Sequence, residues 1–300
     1  MGVQSAVYNL LFMGPCRIYA RNVVGDKPAD AIYRFLCSLH FWRTHRFWPN
    51  FVRPRRFTEK LWSRMLHDRD PRLTMFSDKL GVRGYVESKI GPDYLVPLLW
   101  TGENPDEIPF NQLPMKFVIK ATHGCSYNFI VTDKRKIDPP KIKKQLKRWL
   151  KENYCNDFLM GIEWGYKNVM PSIIIEKFLD ENGNPPVDYK FYCFSGRVEF
   201  LTVHFDRFVD HKTRSFDRNF NPHEFTYHFA QWKGECERPV NFQSMVQLAE
   251  TLAKEFEFMR IDLYSINDKI YFSEITPYPG GVSTRFLPVR QDYLLGEKWK

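Results

Sequence analysis

The stretch PMKFVIKATHGCSYNFIVTDK, Pro114–Lys134, sets two short apolar runs on either side of a group of small and polar residues. Phe117, Val118 and Ile119 read as one buried strand and Phe129, Ile130 and Val131 as another, so the residues between them form the loop of a hairpin. Lys120 then stands at a strand end, beside the loop from His123 to Asn128. A phosphate-cradling loop needs small residues that let backbone N–H groups point inward, and a lysine that meets the oxygens as a point charge. This loop offers one glycine, Gly124, and two small side chains, Cys125 and Ser126, and the G-x-x-x-x-G-K-[ST] pattern is absent. Taken alone it decides nothing, because His123 suits a plain hydrogen-bonding role as well as that of a base or a stacking group.

Outward from this hairpin, the preceding segment from about Asp30 to Gly91 reads as largely helical. In FTEKLWSRMLHD, Thr58 is placed to cap a helix whose Leu61, Trp62, Met65 and Leu66 follow helical spacing. Ser77 is placed to cap a second helix that runs to about Ile90, with a Gly91-Pro92 stop before the strand-like YLVPLLW. After the hairpin, PPKIKKQLKRWLKENY reads as a basic amphipathic helix with Ile142, Leu146, Trp149 and Leu150 on its apolar side and a solvated lysine face. Strands are expected at Ile173–Phe178, Asp188–Phe194 and Arg197–Phe205, then a helix in FQSMVQLAETLAKEFEF and a closing hairpin in MRIDLYSINDKIYFSEITPYPGG. Helices and mostly antiparallel strands alternate in blocks, which predicts an α+β fold with more than one lobe and disfavours a doubly wound parallel sheet.

The closing hairpin carries the densest charge pattern. Arg260, Asp262 and Tyr264 share one face of its first strand, and Phe272, Glu274 and Thr276 one face of its second. With the turn centred on Asn267, Arg260 falls opposite Glu274, and Asp262 lies diagonally beside it. Two carboxylates at that spacing suit Mg²⁺, which takes one or two carboxylates and completes its shell with water and phosphate oxygens. A surface hairpin with cross-strand ion pairs is the plain alternative.

Composition bounds the rest. The 300 residues, 43% hydrophobic, allow one large domain or two smaller ones with a sizeable core. A formal net charge of +9 is compatible with nucleic acid, an anionic membrane or a phosphorylated substrate, and nothing resembles an RNA-binding motif. The dispersed cysteines show no zinc or disulfide spacing and predict a reduced, cytoplasmic protein. The first residues hold only short apolar runs, broken by Gly14, Pro15 and Arg17, which predicts neither a membrane span nor a secretory signal. Leu39–Phe57 interleaves aromatic residues with arginines. It could lie on an anionic membrane surface, but a core helix and loop with arginine stems packed over rings is the favoured reading.

The order of these signals is more specific than any one of them. Asp78-Lys79 comes first, then Lys120 and its loop, the acid-Lys-apolar run Glu176, Lys177, Phe178 and Leu179, VDYKFYCFSG, and finally an R-x-D strand paired with an E-x-T strand before a Pro-Gly turn. From about Phe57 to the end, the chain resembles the ATP-grasp superfamily, and within it the TupA-like branch found among bacterial surface-polysaccharide proteins.

The resemblance implies two α+β lobes clasping ATP behind a helical N-terminal region. The divisions expected are residues 1–75 (helical, with peripheral membrane contact in view), 76–115 (linker), 116–180 (small nucleotide-clasping lobe) and 181–300 (catalytic lobe). It implies Lys79 and Lys120 on the α- and β-phosphates, and the loop with His123, Gly124 and Ser126 over the β/γ end. Glu176 to Leu179 would form the adenine hinge, with Asp188 near the ribose. Asp262 and Glu274 match the Mg²⁺ carboxylates, with Thr276 where many such ligases carry asparagine. Arg260 and Lys190 would meet the transferring phosphoryl group. Arg285 with Ser283 and Thr284, and Arg207, Arg214 and Arg218, are candidates for holding an acceptor. The activity implied is carboxylate–amine ligation through an acyl phosphate. A carboxylate-bearing sugar or peptide and an amino acid would be the substrates, at the cytoplasmic side of the membrane and with a lipid-linked glycan as one form of acceptor. A kinase or glycosyltransferase on a glycan precursor, and a non-catalytic membrane-associated assembly factor, are the competing expectations.

Overall fold

The computed structural model describes residues 26–156, 163–180, 186–205, 210–227, 229–281 and 285–300, with side chains from residue 33 onward. Cys16, Arg207, Ser283 and Thr284 lie outside the described residues, as does the N-terminal stretch expected to lack a membrane span. Helices α1 (Asp26–His45), α2 (Phe57–His67), α3 (Pro71–Ser77) and α4 (Gly81–Ile90) lead into strand β1 (Leu98–Gly102) and the hairpin β2 (Phe117–Ala121) and β3 (Asn128–Val131). Helix α5 (Pro139–Trp149) and strand β4 (Ile173–Lys177) follow. Then come β5 (Asp188–Phe194), β6 (Arg197–Phe205), β7 (Lys212–Asp217) and the short β8 (Pro222–His223), β9 (Thr226–Tyr227) and β10 (Ala230–Gln231). The chain closes with α6 (Phe242–Ala253), β11 (Phe258–Ile266), β12 (Lys269–Thr276), β13 (Phe286–Leu287) and α7 (Arg290–Lys298).

The two lobes are two sheets. The small sheet has the order β1-β4-β2-β3, every pair antiparallel. One face is covered by α5, whose Ile142 and Leu146 pack with Phe117, Ile119, Ile173 and Ile175. Asp138 caps that helix by accepting the Lys141 N–H, Pro139 occupies the first turn, and Lys141 and Lys144 face solvent as the amphipathic pattern predicts. The large sheet runs β10-β7-β6-β5-β11-β12, with β8 beside β7, and is antiparallel except for β10 and β7.

Period-two alternation splits the large sheet cleanly. Tyr189, Phe191 and Cys193 enter a core with Met245, Ala249 and Leu252 of α6, while Tyr192 and Phe194 join a second core with Phe41, Phe57 and Trp62 of the N-terminal helices. Aromatic rings dominate this second core; the Phe57 ring meets those of Phe258 and Phe286 edge-on at 4.9 and 5.6 Å.

Three local expectations are corrected. Thr58 does not cap α2: it lies in the first turn, where its N–H and hydroxyl donate to Asp292 of α7 at 2.9 and 2.7 Å. Glu59 serves the helix start instead, accepting the N–H groups of Asn50, Arg55 and Arg56 at 2.9, 3.0 and 3.1 Å. Ser77 ends α3, its hydroxyl donating back to the Leu73 carbonyl at 2.9 Å, and the Asp78 side chain turns the chain into α4 by accepting the Leu80 N–H.

The third correction concerns register. The β11–β12 turn centres on Asn267 and Asp268 together, both at positive φ (47° and 61°), as a two-residue hairpin turn of the primed type requires. A bulge then lies between Asp262 and Leu263, so Leu263 pairs with Phe272 in the core while Asp262 pairs with Glu274 and Arg260 with Thr276. Phe272 therefore does not share a face with Glu274. Asp262, expected diagonal to Glu274, lies directly opposite it.

Candidate active site

That bulge decides which side chains meet. Asp262 is flanked by Glu274 on β12 and by Lys190 on β5, so three adjacent strands deliver one cation and two carboxylates to one face. Lys190 Nζ lies 2.5 Å from Asp262 Oδ2 and 2.6 Å from Asp188 Oδ2. Arg260 forks onto Asp262, with Nε donating to Oδ1 at 2.7 Å and Nη2 to Oδ2 at 2.8 Å. Nη2 also donates to Thr276 Oγ1 at 3.0 Å and reaches Glu274 Oε2 at 3.5 Å. Asp262 is fully buried, and an uncompensated carboxylate there would be costly, so the lysine and the arginine balance its charge. Glu274 stands at the open edge, its side chain 41% exposed.

The small sheet contributes a second charge cluster. Lys120 Nζ donates to Glu176 Oε2 at 2.6 Å, and Arg83 of α4 donates to Glu176 Oε1 at 3.2 Å and to the Val96 carbonyl at 2.8 Å. Both Glu176 oxygens are thus held by cations. In the segment expected to form the hinge, the Lys177 N–H donates to the Pro97 carbonyl, Lys177 is exposed, and Phe178 and Leu179 are half-buried. Lys79 binds the loop twice, through its N–H to the Thr122 carbonyl and through Nζ to the Gly124 carbonyl at 2.5 Å.

The loop itself is pinned to the end of α5. His123 Nε2 meets the Trp149 carbonyl at 2.8 Å, the Tyr127 ring stacks on Trp149, and the Tyr127 hydroxyl donates to Glu152 at 2.9 Å. A Cβ on Gly124 would fall 2.7 Å from the Tyr127 ring, so glycine is needed there for close packing. Ser126 takes the left-handed conformation, with φ of 61°.

The electrostatics join the two sheets at Glu274. Burial lowers the pKa of Lys79, with the Glu274 carboxylate pulling it back and Lys120 repelling it. Burial opposes charge on Lys120 too, but Glu176, Tyr264 and Glu274 outweigh it and hold the ammonium above its ordinary range. Arg260, likewise buried, is pushed well upward by Asp262, Tyr192 and Glu274. Glu274 thus acts electrostatically on Lys79, in the turn before α4, and on Lys120 of the small sheet, while Arg260 of the large sheet reaches it directly at 3.5 Å. Among the described residues, no group of three or more His, Cys, Asp or Glu is arranged to hold a metal by itself, so the Asp262–Glu274 pair needs further oxygen ligands.

Three neighbours escaped the sequence patterns. Arg83 follows Lys79 by four positions, the spacing of one helix face, and that signal was available. Glu163 carries no motif. It precedes a 3-10 turn, Trp164–Tyr166, that packs against α3 so closely that a Cβ on Gly165 would fall 2.5 Å from Ser77 Oγ. The Gly165 N–H donates to the Tyr278 hydroxyl at 3.1 Å. Burial pushes the Glu163 carboxyl up to about 8, Glu274 adding to the shift and Arg260 opposing it. The third, His204, bonds Thr202 Oγ1 at 3.1 Å and His211 at 2.8 Å, beside Asp188 and Lys190 in strand register. Burial, reinforced by Lys190 and Arg260, keeps its imidazole neutral.

The expected acceptor arginines separate. Arg218 forks onto Glu250 at 2.7 and 2.9 Å, and Arg214 donates to the Gly234 carbonyl at 2.7 Å, so both are engaged in the fold. Arg285 is exposed.

Two antiparallel lobes with a lysine–carboxylate cleft define an ATP-grasp arrangement. The family model described as TupA-like ATPgrasp matches residues 59–300, and the chain belongs to that family. Curated proteins give no match. Among solved structures, the D-alanine–D-alanine ligase from Bacillus anthracis complexed with ATP is 12% identical, with 69% of this chain and 56% of that chain covered and a TM-score of 0.41. The ATP-grasp ligase PsnB complexed with a phosphomimetic variant of its minimal precursor, Mg and ADP is 11% identical, with 77% and 61% covered and a TM-score of 0.41. The ADP complex of PurK, N5-carboxyaminoimidazole ribonucleotide synthetase, is 14% identical, with 69% and 46% covered and a TM-score of 0.39. The chain thus spans less than two thirds of the length of each.

Proposed function

We propose that the protein is an ATP-dependent, ADP-forming ligase that joins a carboxylate to an amine. The observation that carries this reading is a pair of cation clusters, Lys120 on Glu176 with Lys79 holding the adjoining loop, and Lys190 and Arg260 on Asp262 with Glu274 opposite, the lysines of the first feeling the Glu274 of the second. Cations from two lobes that face one carboxylate pair suit a nucleotide triphosphate and its metal, because phosphoryl transfer is catalysed chiefly by positioning and by neutralising charge.

The donor set fits Mg²⁺. Asp262 and Glu274 are hard oxygen ligands facing each other across one ladder step, and the Asp262 oxygens attract two cations already. When bound, the ion would neutralise phosphate charge; Asp262 and Glu274 would hold it, with the Thr276 hydroxyl beside them. The chain's own part is to lay Lys79 and Lys120 along the phosphates, to keep Arg260 and Lys190 against the transferring group, and to shut water out between the lobes. In the reaction proposed, a substrate carboxylate oxygen bonds to the γ-phosphorus as the bond to the β-bridging oxygen breaks and ADP leaves. The amine nitrogen then bonds to the acyl carbon, phosphate departs with the acyl–oxygen electron pair, and the amine's surplus proton is lost to solvent.

The acid is proposed to be an acidic sugar or peptide of a bacterial surface polysaccharide and the amine an amino acid, with Arg285 the candidate for the acceptor carboxylate among the described residues and the reaction on the cytoplasmic side. Among the described residues no helix is long and apolar enough to cross a membrane. Incubation with Mg-ATP and pools of sugar acids and amino acids, followed by mass spectrometry, is expected to give ADP, phosphate and an amide in equal amounts. ADP with a phosphorylated hydroxyl product would make the protein a kinase and overturn the reading.

A further inference from the structure

Lined by none of the candidate nucleotide-site residues, a cavity of about 460 Å³ opens between the loop before α2 and the C-terminal helix α7. Arg53, Arg55 and Arg56 line it, with Trp48 and Tyr293 among the rings of its wall. Its one lining carboxylate, Glu59, has both oxygens occupied by the backbone N–H groups of Asn50, Arg55 and Arg56. Three positive charges therefore face one negative charge that is turned into the backbone.

The wall is preformed. Asn50 Oδ1 accepts the N–H groups of Val52 and Arg53 at 3.2 and 2.9 Å and fixes the turn that carries the arginines. The Arg56 guanidinium lies 3.5 Å from the Phe47 ring centre and 4.2 Å from that of Tyr293, and donates to the Tyr293 hydroxyl at 2.7 Å. The Arg56 guanidinium, held in this way, meets phosphate oxygens with little further loss of side-chain freedom, while Arg53 and Arg55 present exposed side chains beside it. Around the mouth the surface is apolar. Trp48 is 54% exposed and Val52 81%, with Phe35 in ring contact with Trp48. A purely aqueous phosphate would leave those rings in water, whereas a phosphate carried on an apolar chain would satisfy both features, because tryptophan favours the headgroup boundary.

We propose that this cavity is a second binding site, for the phosphate or diphosphate headgroup of a membrane-borne lipid or lipid-linked molecule, with Trp48 and Val52 entering the boundary around it. The site shares no residue with the nucleotide cleft and stands whether or not the ligase reading does.

Flotation of the full chain with phosphatidylcholine vesicles, with and without added phosphatidic acid, tests it, alongside calorimetric titration with free pyrophosphate. The wild-type chain is expected to float only with the anionic vesicles. Removal of two arginine charges in R53Q/R55Q is expected to weaken that binding about 30-fold. Trp48→Ser is expected to weaken it while leaving circular dichroism unchanged. The matched control is K141Q/K144Q on exposed lysines of α5, which removes the same charge elsewhere and is expected to leave binding within about twofold, since screening confines such effects to nearby charges. Equal losses in both double variants would show general attraction by a basic protein and overturn the site. Binding of pyrophosphate without vesicle binding would overturn the lipid-borne ligand, and absence of both would overturn the proposal outright.

Discussion

At the scale of residues, Asp262 and Glu163 are two buried carboxyls in one cleft with opposite solutions. Asp262 has cations in contact, Lys190 at 2.5 Å and Arg260 at 2.7 Å. Asp262→Asn removes the carboxylate and leaves two buried cations facing an amide, an arrangement that costs about 3–5 kcal/mol when one partner of a buried pair is lost. Urea denaturation should show a lowered midpoint of that order, and an unchanged midpoint would mean that the pair carries no net weight. Glu163 instead gives up its charge, its carboxyl pushed up to about 8 by burial first and by Glu274 second. In the unfolded chain it titrates near its ordinary 4.5, so the folded state binds the extra proton between those values. This contribution to stability is fully present below about 4.5 and is lost as pH rises towards 8. Nucleotide-free protein should therefore lose stability from pH 5 to 8, and Glu163→Gln should remove that part of the slope. A variant with the wild-type slope would contradict the assignment.

The candidate site was partly legible at this scale. Lys120, Lys190, Asp262 and Glu274 lie in strand patterns whose periods fix the side-chain face; of these Lys190 and Asp262 touch, and Glu274 stands opposite Asp262. Glu163 was illegible because it sits in an irregular segment, where no period says which way a side chain points; only its packing against α3 and Tyr278 brings it to the cleft. Glu176 was legible as a position, but its pairing with Arg83 required knowing that α4, packed in the large-sheet core, stands close enough to β4 for that side chain to reach it.

At the scale of elements, turn and bulge chemistry governs the site. Hydrophobic alternation located both strands of the closing hairpin, yet one extra residue at the bulge changed which carboxylate faces which. A bulge leaves no mark in a pattern of apolar and polar residues, so the register was the part that could not be read. Helix α7 shows a similar limit. Its Gly296 has no turn signature, but a Cβ there would fall 2.0 Å from the Arg55 carbonyl oxygen, because α7 crosses directly over the start of α2. Gly296→Ala should destabilise the protein by about 1–3 kcal/mol through overpacking. Thermal unfolding followed by circular dichroism checks this, and a melting temperature equal to wild type would mean that α7 shifts freely.

At the scale of the whole molecule, two sheets with separate cores each carry a cation–carboxylate cluster, Lys120 on Glu176 in one and Lys190 and Arg260 on Asp262 in the other. The block order of helices and strands made this two-lobed plan readable, because each block has its own apolar period and its own stop signals. What no pattern contained was the approach of one sheet to the other, which depends on side-chain volumes along the contact. Lys120 spans that approach: it is anchored on Glu176 in the small sheet and feels Tyr264 and Glu274 in the large one. Lys120→Ala should lower turnover by about 10²-fold or more, as loss of a charge-stabilising group commonly does, with the weakened ATP binding measured by calorimetry. Turnover and affinity at wild-type levels would remove Lys120 from the site.

The most direct measurement is to trap the activated carboxylate. Purified protein with Mg-ATP, a pool of acids and hydroxylamine should yield ADP, phosphate and a hydroxamate, all lost in Glu274→Ala, with mass spectrometry identifying the acid. ADP and phosphate released without any hydroxamate, whichever acid is supplied, would contradict carboxylate activation.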